Sequence, residues 1–258
     1  NIGTLMNTPE VLIEHSDGLV IITINRPEQK NAVNRAVSYG VCEAIDEMER
    51  NPALHAAVLT GAGGTFCSGM DLKAFLRGES PRVEGRGIFG IVMTPPKKPL
   101  IAAVEGYCLA GGFEAMLACD LVVTARNATF GIPEVKRGLA AAAGGLMRLP
   151  RLVPQRIAME MALTGEFFGA QDAERFGLIN RHVAPENVIE ETRQLAERIA
   201  SRSPQSIRDG KTAFYTQIEM PLSDAFEHAN RVMVEAMTSE ESKQGVKAFF
   251  DKRPPEWH

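Results

Sequence analysis

No run of about eighteen consecutive apolar residues occurs in this chain of 258 residues, so it contains no segment expected to cross a bilayer as a helix. The opening NIGTLMNTPE has neither the basic region nor the apolar centre of a secretory leader and reads as a loose arm. The four cysteines, Cys42, Cys67, Cys108 and Cys119, are scattered without a CxxC pair. That spacing favours structural thiols over a disulfide framework or a zinc site, and it fits a cytoplasmic location. The five histidines show no metal-ligand spacing. The run GAGGTF at 61–66 lacks the last glycine of a dinucleotide fingerprint, and no GKS or GKT marks a phosphate loop. Charge is nearly balanced, with 28 Lys+Arg against 32 Asp+Glu and a formal net charge of −4. This weighs against a nucleic-acid partner, while leaving room for a local basic pocket around a small phosphorylated ligand.

What is present is an α/β pattern. Apolar residues make up 45% of the chain and charged residues 23%, which suits one large domain or a core with a helical extension. Val11 to Glu14 and Leu19 to Ile24 are β-rich runs joined by Ser16-Asp17-Gly18, a hairpin signal. Asn34 caps a helix running to about Arg50, with Val37, Val41, Ile45 and Met48 on one face. Ala57 to Thr60 reads as a buried strand, and a helix is expected from about Asp71 to Phe75. Residues 77–90 are charged and glycine-rich and look mobile or variable, Ile88 to Met93 allows a helix, and Ala128 to Phe130 is too short to classify. A helix following Gly144-Gly145 should be interrupted by Pro150. Gln155 to Leu163 and Gln171 to Phe176 read as helices ended by Gly165 and Gly177. From about Pro185 onward the pattern is helical throughout. The expected division is an α/β core over 1–182 and a helical region over 183–258. The apolar stripe Ala225, Ala229, Val232, Ala236 must pack on the core or on another subunit.

The chain is organised around residues 102–123, AAVEGYCLAGGFEAMLACDLVV, which read as strand, glycine turn, helix, strand. Glycine turns at 61–71 and 106–112 each lead into a helix start, where backbone N–H groups lack partners. Two such loops brought together could each offer one N–H to a single oxygen, forming an oxyanion hole, although two ordinary tight turns would leave the same pattern. Glu114 lies in an apolar helix start, FEAML, where a lone carboxylate is unfavourable unless hydrogen-bonded or used. Glu134 follows Pro133 and is rigidly placed. Either could be a helix-terminus stabiliser; together in one apolar pocket they could share protons and hold a water molecule. Asp71 and Asp120 read as caps or turn formers.

These residues resemble the crotonase (enoyl-CoA hydratase/isomerase) superfamily. The matching pieces are INRPEQKNAVN at 24–34, TFCSGMDL at 65–72, the EGYCLAGGFEAMLACDLVV block, FGIPEVKRGL with GGLMRLPR, LTGEFFGAQDAERFGLIN at 163–180 and the ending AFFDKRPPEW. Together and in order they cover essentially residues 10–257. The resemblance implies a spiral of ββα units with a helical C-terminal trimerisation region, assembled as a homotrimer or homohexamer. It implies an acyl-CoA thioester substrate, coenzyme A being part of the substrate, and no metal or redox cofactor. The N–H groups of Met70 and Gly111 would form the oxyanion pair. Lys30, Ser68, Met70, Asp71, Leu72 and Gly111 would lie along the coenzyme A, with Lys252 reaching its phosphates from a neighbouring subunit.

Glu114 and Glu134 fall where hydratases of this family carry their two catalytic glutamates. The implied reaction is reversible syn addition of water across a 2,3-double bond conjugated to the thioester, with fatty-acid degradation as the default setting. Two departures stand out. Ala110 replaces the first glycine of the usual GGG, leaving Gly111 intact. After Arg137-Gly138-Leu139 an alanine run stands where short-chain hydratases carry a proline, in a segment that lines the acyl end of the pocket in the family. The substrate's acyl group is therefore open. An isomerase that shifts the double bond between positions 3 and 2, or a dehydratase for a specialised hydroxyacyl-CoA, would use the same hole. A binding or scaffold protein that touches RNA is disfavoured by the glutamate pair and the acidic balance.

Overall fold

The structure is a computed structural model that describes residues 9–257; of the expected arm NIGTLMNTPE, residues 1–8 lie outside them. Strands β1 (Val11–Ser16) and β2 (Leu19–Ile24) form an antiparallel hairpin. Its turn residues Asp17 and Gly18 sit at φ 50° and 79°, the hand that matches the strand twist. Helix α1 (Arg35–Arg50) starts at Asn34, whose Oδ1 accepts from the Val37 N–H at 2.9 Å. It buries Val37, Val41, Ile45 and Met48, the stripe read from the periodicity. Strand β3 (Ala56–Gly61), helix α2 (Leu72–Leu76) and the short hairpin β4 (Arg82–Val83) and β5 (Gly87–Ile88) follow.

The next units repeat a rule. Strand β6 (Leu100–Val104) joins the main sheet, β7 (Tyr107–Leu109) joins a smaller one, and α3 (Gly111–Leu117) follows. Strand β8 (Leu121–Ala125) returns to the main sheet, β9 (Thr129–Gly131) to the smaller one, and a 3-10 turn over Pro133–Arg137 follows. Helices α4 (Gly145–Leu152) and α5 (Gln155–Thr164), strand β10 (Phe168–Gly169), helix α6 (Ala170–Arg175) and strand β11 (Arg181–Val183) complete this part. The main sheet has the order β1-β2-β3-β6-β8-β11, parallel except for β1. Every residue of β3 and β6 is buried, as expected of parallel strands covered on both faces. The smaller sheet, β10-β9-β7, closes over Phe113, Phe130, Phe168 and Phe176, whose rings meet at centroid distances from 5.7 to 6.2 Å. The chain is thus an α/β fold in which the turns from β6 onward lay one strand on each of the two sheets, consistent with the crotonase-type spiral.

Helix α7 (Val188–Ala200) packs on β2, β3, β6 and β8, so the first helix beyond residue 182 lies on the sheet. Helices α8 (Pro204–Gln217), α9 (Leu222–Thr238) and α10 (Glu240–Phe250) pack mainly on one another. Asp120 ties α8 to the core: its carboxylate accepts from Lys211 Nζ at 2.6 Å and from the Tyr215 hydroxyl at 3.1 Å. Of the expected α9 stripe, Ala225 is buried and Ala229 exposed, while Phe226, Met233 and Met237 of the same helix face outward. No helix among the described residues is long and apolar enough to cross a membrane.

Three expectations are corrected. Ile88 to Met93 is not helical, because Gly87, Phe89 and Gly90 stand at φ 77°, 57° and 67°. That segment is a tightly anchored loop: Phe89 is fully buried, and its N–H donates to the buried Ser38 hydroxyl at 2.9 Å. Pro150 does not interrupt α4, since it stands in the last turn, where only one helical hydrogen bond is forfeited. The three residues of β7 lie where a plain glycine turn was expected, their pairing supplied by distant β9.

Candidate active site

The first glycine loop is held by the segment that precedes α1. Ser68 N–H donates to Lys30 O at 3.0 Å, Val33 N–H to Gly69 O at 2.8 Å, and Asp71 N–H to Val33 O at 2.9 Å. Buried Asn31 stands at φ 53°, donates its amide to the carbonyls of Ala62 and Thr65, and accepts from Arg26 N–H at 2.8 Å. The Arg26 guanidinium reaches Asp71 at 2.9 Å and Glu10 at 3.2 Å. Asp71 also caps α2, accepting from the N–H groups of Lys73 and Ala74 at 3.0 Å each. Burial pushes its carboxyl up, but the Ala74 N–H and the Arg26 guanidinium outweigh this and hold it below its ordinary value.

The second loop is threaded beside the first. Cys67 N–H donates to Tyr107 O at 2.9 Å, Leu109 N–H to Cys67 O at 3.0 Å, and Ala110 N–H to Gly131 O at 2.9 Å. The approach is close: a β-carbon on Gly69 would lie 3.5 Å from Gly111 N, and one on Gly111 would lie 3.9 Å from Met70 N. The N–H groups of Met70 and Gly111 are therefore neighbours. Among the described residues neither donates to a protein acceptor, whereas those of Gly69, Asp71 and Ala110 beside them do. Two neighbouring free N–H groups, one at a helix start, form a seat for a developing negative oxygen. Ala110 holds φ 49° and ψ −126°, a strained conformation for a residue with a β-carbon. Ile88 Cδ1 would stand 2.9 Å from a β-carbon on Gly111, so the β4–β5 hairpin walls this seat.

Glu114, in the first turn of α3, is only 3% exposed. Its Oε1 accepts from Gly145 N–H at 2.9 Å. Burial, with the Glu134 charge adding to it, pushes its pKa up to about 7 against the opposing hydrogen bonds of Gly145 and Ala143 and the Arg148 charge. Glu134 is half-buried in the turn after β9; its Oε2 is buried with no protein partner, and burial raises its pKa as well. An orphan carboxylate oxygen facing a second acid with a pKa near neutrality is an arrangement that can hold and deprotonate a water molecule.

Of the sequence-derived residues, Met70 and Gly111 stand side by side, and Glu114, in the same helix as Gly111, lies within reach of the Glu134 charge. Lys30 and Ser68 meet through the backbone bond between them, with Lys30 exposed at φ 51°. Leu72 is exposed at the start of α2. Lys252 is exposed beyond α10, and no hydrogen bond or ion pair among the described residues joins it to the two loops. The sequence reading missed Asn31 and Arg26, which lie in a quoted motif but whose partners are remote in the chain. It also missed Gly145 as a donor to Glu114; a β-carbon there would meet Glu114 Oε1 at 3.2 Å.

Residues 14–258 match the family profile described as enoyl-CoA hydratase/isomerase. A mevalonyl-coenzyme A hydratase of Aspergillus fumigatus is 39% identical over 248 residues, spanning 93% of this chain and 91% of that protein. A carnitinyl-CoA dehydratase of Escherichia coli is 36% identical over 253 residues, spanning 95% and 97%. The crystal structure of an enoyl-CoA hydratase from Mycobacterium tuberculosis superposes with a TM-score of 0.95 at 49% identity, covering 97% of this chain and 99% of that one.

Proposed function

The chain belongs to the enoyl-CoA hydratase/isomerase family, and on that footing we propose that it is an enoyl-CoA hydratase, adding water reversibly and syn across the 2,3-double bond of an enoyl-CoA thioester to give a 3-hydroxyacyl-CoA. The observation that carries this reading is the pairing of Glu114 with Glu134 beside the free N–H groups of Met70 and Gly111. The thioester carbonyl sits on those two N–H groups, which bind it more strongly as it gains enolate charge. The glutamates hold a water molecule between them. Burial raises both carboxyls and the Glu134 charge raises Glu114 further, so in this reading the pair shares one proton. Glu134 delivers that proton to C2 while the water oxygen attacks C3 and its proton passes to the Glu114 carboxylate.

Lys30, Ser68 and Leu72 lie along the coenzyme A in this reading. Asp71 acts there through its backbone and by fixing Met70, because its carboxylate is taken by the α2 cap and Arg26. Lys252 reaches the phosphates from a neighbouring subunit of a trimer or hexamer, whose contact is made by the outward apolar faces of α9 and α10. No nucleic acid or membrane takes part, and the setting is the cytoplasm.

The test is loss of the conjugated enoyl-thioester absorbance of crotonyl-CoA and of a longer enoyl-CoA, with product analysis. A 3-hydroxyacyl-CoA product supports the hydratase; a shifted double bond with no water added would make the protein an isomerase. A second reading, a hydratase or dehydratase for a specialised acyl group, is favoured by the relatives named for mevalonyl-CoA and carnitinyl-CoA and by the alanine run at 140–143. Binding of coenzyme A without turnover of straight-chain substrates would select it.

A further inference from the structure

Arg148, on the second turn of α4, is a part-buried cation that forms no ion pair among the described residues. Its guanidinium folds back over the start of its own helix: a β-carbon on Gly144 would meet Nη1 at 2.6 Å. The other arm, Nη2, donates to Val92 O at 2.6 Å. The neighbouring residue Gly145 gives its N–H to Glu114 Oε1 at 2.9 Å. Arg148 therefore joins two parts of the site, the helix start that holds Glu114 and the loop that follows β5, and its guanidinium lies across Gly144 from the Glu114 backbone: the same β-carbon on Gly144 would stand 4.0 Å from Glu114 O. A part-buried guanidinium with only a carbonyl for a partner is poorly compensated unless its charge serves something nearby.

We propose that Arg148 is a positioning residue for Glu114: it clamps the Gly144–Gly145 turn against the loop at residue 92 and lends the carboxylate a fixed positive charge across that turn. The proposal rests on the reading that Glu114 takes the proton of the attacking water. The other charged or titratable groups facing this pair are Glu134 from the turn after β9, Cys119 just beyond α3 and Tyr215 from α8. Burial pushes both Cys119 and Tyr215 up, so both stay neutral at working pH. Arg137 faces Glu134 from the exposed end of its own turn. Arg148 is then the cation that opposes the upward push of burial and Glu134 on Glu114.

Two variants separate charge from shape. Arg148→Gln keeps a donor for Val92 O and loses the charge; Arg148→Lys keeps the charge and loses the fork. The reading is the protonation of Glu114 in the free enzyme, followed by infrared titration of its carboxyl band and assigned with Glu114→Gln. This measurement needs no turnover, so it stands even if the hydratase reading fails. The Gln variant should move the Glu114 midpoint up by about one pH unit, and the acid limb of kcat/KM with it, while Lys leaves the midpoint near the wild-type value. A midpoint unmoved in folded Arg148→Gln protein, or moved equally by both variants, would overturn the proposal. Should Arg148→Gln fail to fold, Arg148→Met, which also removes the charge, supplies the comparison with Arg148→Lys, and an unmoved midpoint there overturns it equally.

Discussion

A β-carbon on residue 69 would stand 2.7 Å from the β-carbon of Ala110, so Gly69 and Ala110 fix how closely the two loops of the site approach. Gly69 also holds φ 105°, which a side chain would strain. Gly69→Ala should push Met70 N–H away from Gly111 N–H and lower kcat/KM by roughly 100-fold or more, the loss typical of a missing oxyanion donor. Steady-state kinetics on protein with an unchanged circular-dichroism spectrum checks this; wild-type turnover would remove Met70 and Gly111 from the mechanism.

Ala110 itself is the strained partner, at φ 49° and ψ −126°. Ala110→Gly should relieve about 1 kcal/mol, the strain being partly offset by the greater freedom of glycine in the unfolded chain. Thermal melting at matched protein concentration should show a rise of roughly 2–4 °C. A fall would mean that the Ala110 side chain contributes more by packing than it loses by conformation.

Glu114, with its pKa near 7, predicts two pH effects of opposite sense. Activity needs the carboxylate, so kcat/KM should fall as pH drops through about 7. Stability runs the other way. A carboxyl whose folded pKa is raised binds more protons folded than unfolded, so stability is lost as pH rises from about 4.5 to about 7. Glu114→Gln should thus be inactive yet more stable than wild type at pH 8, by an amount of order 3 kcal/mol or less. Denaturant melts at pH 5 and pH 8 test the sign; equal differences at both would contradict the raised pKa.

Glu134 has a buried carboxylate oxygen, Oε2, with no protein partner. Glu134→Gln should lower kcat by about 100- to 10,000-fold while product coenzyme A thioester still binds near normally. Calorimetric titration with 3-hydroxybutyryl-CoA separates the two; retained turnover would make Glu134 a bystander.

Much was legible locally. The hairpin at Asp17-Gly18, the Asn34 cap, the stripe of α1 and the glycine ends of α5 and α6 follow from backbone and side-chain rules that act within a few residues. Glu114 stood out because a charge in FEAML contradicts its apolar surroundings. What was illegible depended on distant partners. The run at 88–93 passes for a helix until Phe89 is seen buried beside Ser38, and β7 is a strand only because β9 is beside it.

The sequence by itself determined the family and most of the order of elements, and it singled out Met70, Gly111, Glu114 and Glu134 as candidates, because periodicity, caps and motifs are written in short stretches of chain. Tertiary structure decided what those residues can do. It set two N–H groups side by side across a gap of forty residues of chain from Met70 to Gly111, placed Gly145 and Arg148 against Glu114, and raised an ordinary carboxyl toward neutrality. Proximity and desolvation are properties of the packed molecule, and they arise only when segments far apart in the chain exclude water together.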